Sequence, residues 1–135
     1  MRATKSVSRL EKRFRQELWA AGVRGYRVET ALPGRPDVAF PVERLAVFVH
    51  GCFWHVCPLC RLPKPRANAE FWAEKLRMNS VRDMMVSELL RSQGWEVRVI
   101  WEHELRRDSS AVVRGLIEMK TARRSMNRAV QVSPP

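Results

Sequence analysis

The sequence predicts an α/β domain in which a central mixed β-sheet is flanked by helices. Its 135 residues, 45% of them hydrophobic, are enough to bury one core of ordinary size. Residues 45–51 form a nearly all-apolar run, which is typical of a central strand covered on both faces. Apolar residues at helical spacing occur before and after this run. We therefore expect one domain, residues 1–126, with the element order α-β-β-β-α-β-α and no internal repeat.

The first half of the chain is predicted to contain one helix and three strands. Residues 8–21 are expected to be helical because Leu10, Phe14 and Leu18 recur at intervals of four, with Ala21 three residues further. Short apolar stretches bounded by Gly and Pro turn residues then predict strands at 26–32, 37–40 and 45–51.

The second half is dominated by a long helix predicted at residues 69–92. Asn68 is a candidate cap at its start, and Gly94 follows its end. Beyond it, we expect a strand at 96–102, a helix at 109–126 and a loose tail at 127–135. Core positions are assigned to the apolar stripe of the long helix and to three tryptophans: Met78, Val81, Met85, Leu89, Trp19, Trp95 and Trp101.

The charge balance indicates a polyanionic partner. Lys and Arg number 25 and Asp and Glu 14, which gives a formal net charge of +11. So large an excess in a small protein predicts attraction to nucleic acid first and to an anionic membrane second. The membrane is disfavoured, because no apolar run approaches the ~18 residues of a bilayer span. Since the N-terminus also lacks a signal-peptide pattern, the sequence favours a soluble intracellular protein.

All three cysteines and two of the three histidines lie in one stretch, HGCFWHVCPLC, at residues 50–60. In a reducing compartment such a cluster favours a metal site, with three free thiols as the alternative. Structural zinc takes four ligands in a tetrahedron, so Cys52, Cys57 and Cys60 need one more. His55 is the nearest in sequence. His103 is the other candidate if the strands at 45–51 and 96–102 run parallel in one sheet, and the spacing leaves the choice open.

Carboxylates and histidines near this stretch suggest phosphodiester chemistry. Asp37 follows the turn PGRP at the start of a strand, where it is either a turn residue or a ligand of Mg²⁺. His50 or His55 could act as a general base if Asp83, on the long helix, orients the imidazole. Histidines buried for structural reasons are the alternative.

Aromatic side chains in the same region suit contact with DNA bases. Phe53 and Trp54 lie in the cysteine-rich loop, and Trp72 lies at the start of the long helix. Bulky aromatics usually belong to a core, but an apolar wedge inserted between base steps is a known way to kink DNA. Three polar residues share the helical side of Trp72, away from the apolar stripe: Lys75, Asn79 and Asp83.

Together these motifs resemble the very-short-patch repair endonucleases, the Vsr family. The resemblance rests on Glu11, on PGRPD at 33–37, on HGCFWH at 50–55, on FWAEK with the following Asn and Arg-Asp at 71–83, and on GWEVRVIWE at 94–102. It covers residues 11–105. It implies a restriction-endonuclease-like fold of the PD-(D/E)XK superfamily. The implied activity is Mg²⁺-dependent incision of one strand beside a T:G mismatch, the product of deaminated 5-methylcytosine.

The resemblance also implies roles for individual residues. Asp37 would bind Mg²⁺ together with the backbone carbonyl of Val49. His55 would be the general base, oriented by Asp83. The remaining expectations are that His50 contacts the phosphate, that Glu11 supports the metal or its water, that Phe53, Trp54 and Trp72 intercalate, that Lys75 and Asn79 contact DNA, and that Cys52, Cys57, Cys60 and His103 bind structural zinc.

The implied partner is double-stranded DNA with a T:G mismatch, with mismatch-repair proteins as further candidates. We expect a monomer in the bacterial cytoplasm, associated with the nucleoid. Departures from the family pattern are Val49 in place of Thr, Cys57 in place of His, Cys60 one residue late, and a short N-terminal arm. Two alternatives stay open: a Vsr-like nuclease with another DNA target, and a zinc-braced DNA-binding module without catalysis.

Overall fold

The computed structural model describes residues 5–132, with side chains described from 9 to 129. Three helices and three strands are formed, in the order α1 (Lys5–Ala20), β1 (Val38–Phe40), β2 (Leu45–His50), α2 (Ala69–Ser92), β3 (Glu96–Trp101) and α3 (Glu102–Val132). The α/β class with a mixed sheet is confirmed. The N-terminal arm before Lys5 and the last residues, 133–135, lie outside the described part of the chain.

The sheet order is β1-β2-β3, with β1 antiparallel and β3 parallel to β2. Leu45 pairs with Glu96 at one end of the β2–β3 ladder and His50 pairs with Trp101 at the other. The carboxyl ends of β2 and β3 therefore lie side by side. As a result the residues that follow each strand, the cysteine-rich loop and the start of α3, meet at one edge of the sheet.

The helices cover both faces of β2, as its apolar sequence predicts. Every residue of β2 is buried. On one face, Phe14 and Leu18 of α1 and Leu116 of α3 pack against Val47. On the other, Leu90 of α2 closes a smaller cluster, whose buried members are Ala46, Phe48, Leu90 and Val97.

The strand predicted at 26–32 is reduced to a single bridge. Arg27 N–H donates to Ala39 O (2.8 Å) and Ala39 N–H donates to Arg27 O (2.9 Å), and the pairing goes no further. Two features explain this. Pro36 and Pro41 lie on either side of β1 and cannot donate to a ladder, which keeps β1 short. Val28 is exposed, so a longer pairing would bury no apolar side chain there.

The apolar stripe of α2 faces outward, so the prediction that it faces the core is wrong. Met78, Val81, Met85 and Leu89 are all exposed, Met85 at 64%. The buried positions of α2 are Leu76, Asn79 and Leu90. Because α2 carries apolar residues on more than one side, its pattern fits two orientations. The side with the site residues is the one that packs against the protein.

Trp19 is also exposed, at 58%, against the expectation of a core position. The guanidinium carbon of Arg24 lies 3.3 Å from the centre of its ring, and Arg24 Nη1 donates to the carbonyl of Trp19 (2.8 Å). This cation–π contact covers one ring face without placing the indole in the core. Trp95 and Trp101 are half-buried.

The last helix is longer than predicted and has a kink at its first turns. Asp108 has non-helical dihedrals (φ −161°, ψ 87°), and its Oδ1 accepts from the N–H of Ala111 (3.1 Å), as a helix cap does. The predicted helix at 109–126 thus begins just after this cap. It continues through 127–132, which the sequence analysis assigns to a tail. In the described part of the chain no helix is both long and apolar enough to cross a membrane.

Candidate active site and zinc site

A cavity of about 310 Å³ opens at the carboxyl end of β2, between α1 and α2. It collects the polar residues that the sequence analysis singles out, although they are distant in the chain. α1 contributes Glu11, the turn before β1 contributes Asp37, and the end of β2 contributes His50. The remaining polar residues in its lining are Arg35, His55, Asn79, Arg82, Asp83 and Ser87.

Asp37 and Glu11 form the acidic side of this cavity. The N–H of Val49 donates to Asp37 Oδ2 (2.7 Å), which ties the carboxylate to the carboxyl end of β2. Burial raises the pKa of Asp37. Burial also raises the pKa of Glu11 to about 7, and the nearby charge of Asp37 adds to the rise. Two carboxylates that resist ionising together are a suitable donor set for a divalent cation, which would favour both charges at once.

His50, His55 and Asp83 form the opposite side. The two imidazole rings stack with centroids 3.9 Å apart and an interplanar angle of 8°. His55 Nδ1 lies 2.6 Å from Asp83 Oδ2, so the ring donates from Nδ1 and leaves Nε2 as its proton acceptor. Burial lowers the pKa of His50 to about 4, and the adjacent His55 adds to the fall. His50 is therefore neutral at pH 7, and His55 has the arrangement of an oriented base.

The three cysteines meet His103 on the other side of the β2–β3 edge. His103 Nδ1 lies 3.4 Å from Cys52 Sγ, 3.6 Å from Cys57 Sγ and 3.4 Å from Cys60 Sγ. These distances agree with the edge of a zinc tetrahedron, about 3.6 Å for Zn–S of ~2.3 Å and Zn–N of ~2.05 Å. All four ligand atoms lie within 4.8 Å of one another. The cluster thus has the donors and the spacing of a structural zinc site.

Between His55 and His103, which the sequence leaves open, the geometry favours His103 as the candidate fourth ligand. Because β2 and β3 are parallel, His103 comes to the cysteines, whereas His55 turns to Asp83. Burial raises the pKa of Cys52 to about 12, and a bound cation would favour its thiolate form. Cys60, although one residue later than in the family pattern, lies as close to His103 as Cys52 does.

Glu102 supports this loop and was missed by the sequence analysis. Its Oε1 accepts from the N–H of Cys52 (3.2 Å), and its Oε2 accepts from Arg106 Nη2 (2.9 Å). The only signal in the sequence is its position directly before His103. Its role emerges from the parallel register, which brings residue 102 to residue 52.

Phe53, Trp54 and Trp72 form a cluster of half-buried rings on the rim of the cavity. Phe53 lies 5.1 Å from Trp54 and 5.8 Å from Trp72, measured between ring centroids, and Trp54 lies 5.6 Å from Trp72. The loop and α2 thus bring together the three predicted intercalating rings. Phe71, which is exposed and 5.5 Å from Trp72, extends the cluster by a fourth ring.

Asn79 is buried, at 8% exposure, and its Nδ2 donates to the carbonyl of Trp54 (3.0 Å). One turn further along α2, Asp83 holds His55. Two successive turns of the helix therefore hold two successive residues of the loop, one aromatic and one basic. Lys75 is half-buried on the same side of α2. The predicted contacts of Lys75 and Asn79 to DNA stay predictions.

Comparison with known proteins agrees with this geometry. A family described as DNA mismatch endonuclease Vsr matches residues 1–60. The Type II nicking enzyme V.XorIIP of Xanthomonas oryzae is 42% identical over 100 residues, which are 73% of this chain and 72% of that protein. This chain belongs to the Vsr family of endonucleases. The DNA mismatch endonuclease Vsr of Escherichia coli K12 is also 42% identical over 100 residues, 72% of this chain and 62% of that protein.

A third Vsr-family relative, the Type II nicking enzyme V.NaeI of Lentzea aerocolonigenes, is 44% identical over 79 residues, 58% of this chain and 47% of that enzyme. The chain thus spans less than two thirds of two of these three relatives. The residues matched by the family include Glu11, Asp37, His50, His55 and the cysteines, whereas Asp83 and His103 lie beyond them. As a member of the family the protein is a nicking endonuclease.

Proposed function

We propose that this Vsr-family endonuclease nicks one strand of duplex DNA beside a T:G mismatch and that it requires Mg²⁺. The observation that carries the proposal is the contact of His55 with Asp83, at 2.6 Å, in the same cavity as Asp37 and Glu11. An oriented base opposite a pair of carboxylates is what hydrolysis of a phosphodiester at neutral pH needs.

Asp37 is the residue that would hold Mg²⁺, with the carbonyl of Val49 and, through water, Glu11. The cation would stabilise the charge that develops on the phosphate. Val49 is suited to the place of the Thr usual in the family, because the contacts needed there are made by its backbone. Its N–H already positions Asp37 at 2.7 Å.

His55 removes the proton of the attacking water through Nε2, while Asp83 accepts from Nδ1 and favours the protonated ring that results. His50, neutral because of its burial, stacks on His55 and fixes the plane of that ring. From this position it can donate one hydrogen bond to the phosphate without adding a charge beside His55. His55 thus acts as the general base and His50 as the hydrogen-bond donor.

The cluster of Phe53, Trp54 and Trp72 supplies the wedge that opens the duplex. Unstacking a base step costs a few kcal/mol, and the cost is lowest where the bases are mispaired. Asn79 contacts Trp54 and Asp83 contacts His55, and both helix residues belong to α2. Insertion of the aromatic wedge and placement of the general base His55 are therefore linked. Lys75, on the same side, is placed to reach the DNA.

The remaining parts of the proposal concern zinc, partners and location. Zinc bound by Cys52, Cys57, Cys60 and His103 braces the loop that carries the wedge and His55. The net charge of +11 supplies affinity for DNA without sequence information. We place the enzyme as a monomer in the bacterial cytoplasm, at the nucleoid, with mismatch-repair proteins as candidate partners.

A second candidate function is nicking in another DNA context, because relatives of this chain are named Type II nicking enzymes. A binding module without catalysis is disfavoured by the intact pairing of His55 with Asp83.

The test uses end-labelled duplexes that differ in one base pair, T:G against T:A, with each strand labelled in turn. With Mg²⁺ we expect a nick in the T strand of the T:G duplex alone, and none in EDTA. Equal nicking of both duplexes would replace the first candidate by the second. Binding without any nicking would leave the binding module.

A further inference from the structure

We propose that Arg15 and Arg35 form a clamp for a backbone phosphate of the incised strand, next to the phosphate that is cleaved. This inference rests on the proposed function, since it assumes that a DNA strand crosses the cavity at Asp37. It assigns a role to two residues that the sequence analysis did not single out.

Arg35 is held in an unusual backbone conformation beside the site. Its φ of 50° lies in the left-handed region, which costs a residue other than glycine free energy. Its N–H donates to Leu32 O (3.0 Å), which closes the turn. At Gly34, a Cβ atom would lie 2.5 Å from Val86 of α2, so the turn is pressed against the helix and has no room to relax. Strain of this kind recurs at functional sites, but Arg44 has a similar φ far from the cavity, so the location of Arg35 and not its strain supports the proposal.

The turn puts Arg35 on the border between two cavities. One is the cavity of about 310 Å³ that contains His50, His55 and Asp83. The other, of about 680 Å³, lies on the opposite side of Asp37 and is lined by Arg15, Thr30 and Arg35 among others. A strand whose cleaved phosphate lies in the first cavity would pass Arg35 into the second.

Arg15 faces the same place from α1. It lies one helical turn after Glu11, and its positive charge lowers the pKa of both Glu11 and Asp37 against the rise due to burial. Arg15 and Arg35 therefore both line the second cavity together with Asp37. Glu29 also lines the second cavity, and it is exposed.

Neither guanidinium group is engaged in an ion pair within the part of the chain whose side chains are described. Other arginines are, for example Arg13 with Glu17, Arg98 with Glu104 and Arg106 with Glu102. A planar guanidinium presents paired N–H donors that match phosphate oxygens. Contacts of this kind fix the register of a strand without reading its sequence. The clamp would thus set which phosphate faces His55.

The test compares Arg35→Gln and Arg15→Gln with a matched control, Arg44→Gln. Arg44 is also an arginine with a left-handed backbone (φ 55°), but it lies in the turn between β1 and β2, where Nη1 donates to Gln93 O (3.5 Å). Affinity for a T:G duplex is measured with Ca²⁺ in place of Mg²⁺ at several salt concentrations. We expect each clamp variant to bind about 10- to 100-fold more weakly and to lower the salt slope by about one. Arg44→Gln should match the wild type.

A methylphosphonate scan then locates the phosphate. Each phosphate of the strand is made neutral in turn. Neutralising one phosphate beside the cleaved one should weaken DNA binding by the wild type but not by Arg35→Gln. Arg35→Gly, which removes the charge and the strain together, should show the same defect with no loss of thermal stability. The clamp is excluded if the wild type nicks DNA and every neutralised phosphate that weakens binding by the wild type also weakens binding by Arg35→Gln. If the wild type does not nick at all, the proposed function fails instead.

Discussion

Asp37 lies directly before β1 and Glu43 lies in the turn after it, and the charges of the two carboxylates have different partners. Glu43 is 1% exposed, and its Oε2 is 2.9 Å from Arg124 Nη2 and 3.5 Å from Lys120 Nζ. Asp37 accepts the N–H of Val49 but has no ion pair in the described part of the chain, and burial raises its pKa. The charge of Glu43 is balanced by these two cations of α3. The charge of Asp37 has no ion-pair partner in the described part of the chain.

This difference separates structural from functional carboxylates more clearly than burial does. A buried charge without partners is costly, so a fold tolerates one only where something else offsets the cost. At Glu43 the offset comes from the protein, and the result is an anchor for the C-terminal part of α3, to which Arg123 and Asn127 add bonds to Glu43 O. At Asp37 we propose that Mg²⁺ supplies the offset.

The largest effect is expected from Asp37→Asn. Asn can still accept the N–H of Val49, so the fold should persist, and loss of the repulsion with Glu11 should leave the melting temperature equal or slightly higher. Nicking of a T:G duplex should fall at least about a thousandfold, because a metal contributes several kcal/mol to the transition state. Single-turnover rates and melting curves check both parts. A variant that nicks at the wild-type rate would contradict the role of Asp37.

His55 and His103 extend the comparison to the cysteine-rich loop. His55→Ala should lower the nicking rate by about 10² to 10⁴-fold, the usual contribution of a general base, and should keep its zinc. His103→Ala should lose zinc and melt at lower temperature. Zinc content by atomic absorption and single-turnover rates separate the two variants. The reverse pattern, with zinc lost from His55→Ala, would overturn the division between the two sites.

Glu43→Gln tests the structural role of the Glu43 carboxylate. Removing this charge leaves Arg124 and Lys120 without their buried partner, so we expect the free energy of unfolding to fall by about 3 kcal/mol. Nicking per folded molecule should be unchanged, because Glu43 is remote from the cavity. Urea unfolding measures the first quantity. If the unfolding free energy changed by less than ~1 kcal/mol, the contrast with Asp37 would lose its basis.

The smallest effect concerns Val56, between His55 and Cys57. Its φ of 53° is unfavourable for a β-branched residue. Val56→Asn should raise the free energy of unfolding of the zinc-loaded protein by about 1 kcal/mol, since Asn tolerates this conformation. Val42→Asn is the control, because Val42 is also exposed, at 66% against 44% for Val56, and is not among the residues with positive φ. Equal changes in the two variants would show that the conformation is not the cause.

The sequence predicted those elements whose local pattern admits one reading. The long helix was predicted at its observed bounds, 69–92. Asn68 lies at its N-cap position but has a left-handed backbone and makes no side-chain cap hydrogen bond, so its predicted capping contact is wrong, whereas Gly94 follows the helix end as expected. The apolar run at 45–51 identified the central strand, and the cysteine spacing identified the candidate zinc site. In each case the chemistry of neighbouring residues decides the outcome, with no need of long-range information.

Other features depend on contacts between distant residues. The outward stripe of α2 and the exposed Trp19 could not be predicted, because both sides of α2 are partly apolar and Arg24 covers the indole from outside. The fourth zinc ligand required the parallel register of β2 and β3. The missing strand at 26–32 depends on the prolines beside its partner. Arg35 occurs in the quoted motif PGRPD without a role of its own, and Arg15 has no local signal.

We propose that Asp37, which has no ion pair in the described part of the chain, binds a divalent cation, whereas Glu43 already has two cationic partners in α3. Binding of Mn²⁺, as a spectroscopic substitute for Mg²⁺, tests it directly by electron paramagnetic resonance on the zinc-loaded enzyme in the presence of T:G duplex and EDTA-free buffer. The account predicts one tightly bound Mn²⁺, displaced by Mg²⁺, in the wild type and in Glu43→Gln, and none in Asp37→Asn. Equal Mn²⁺ binding by Asp37→Asn and the wild type would contradict it.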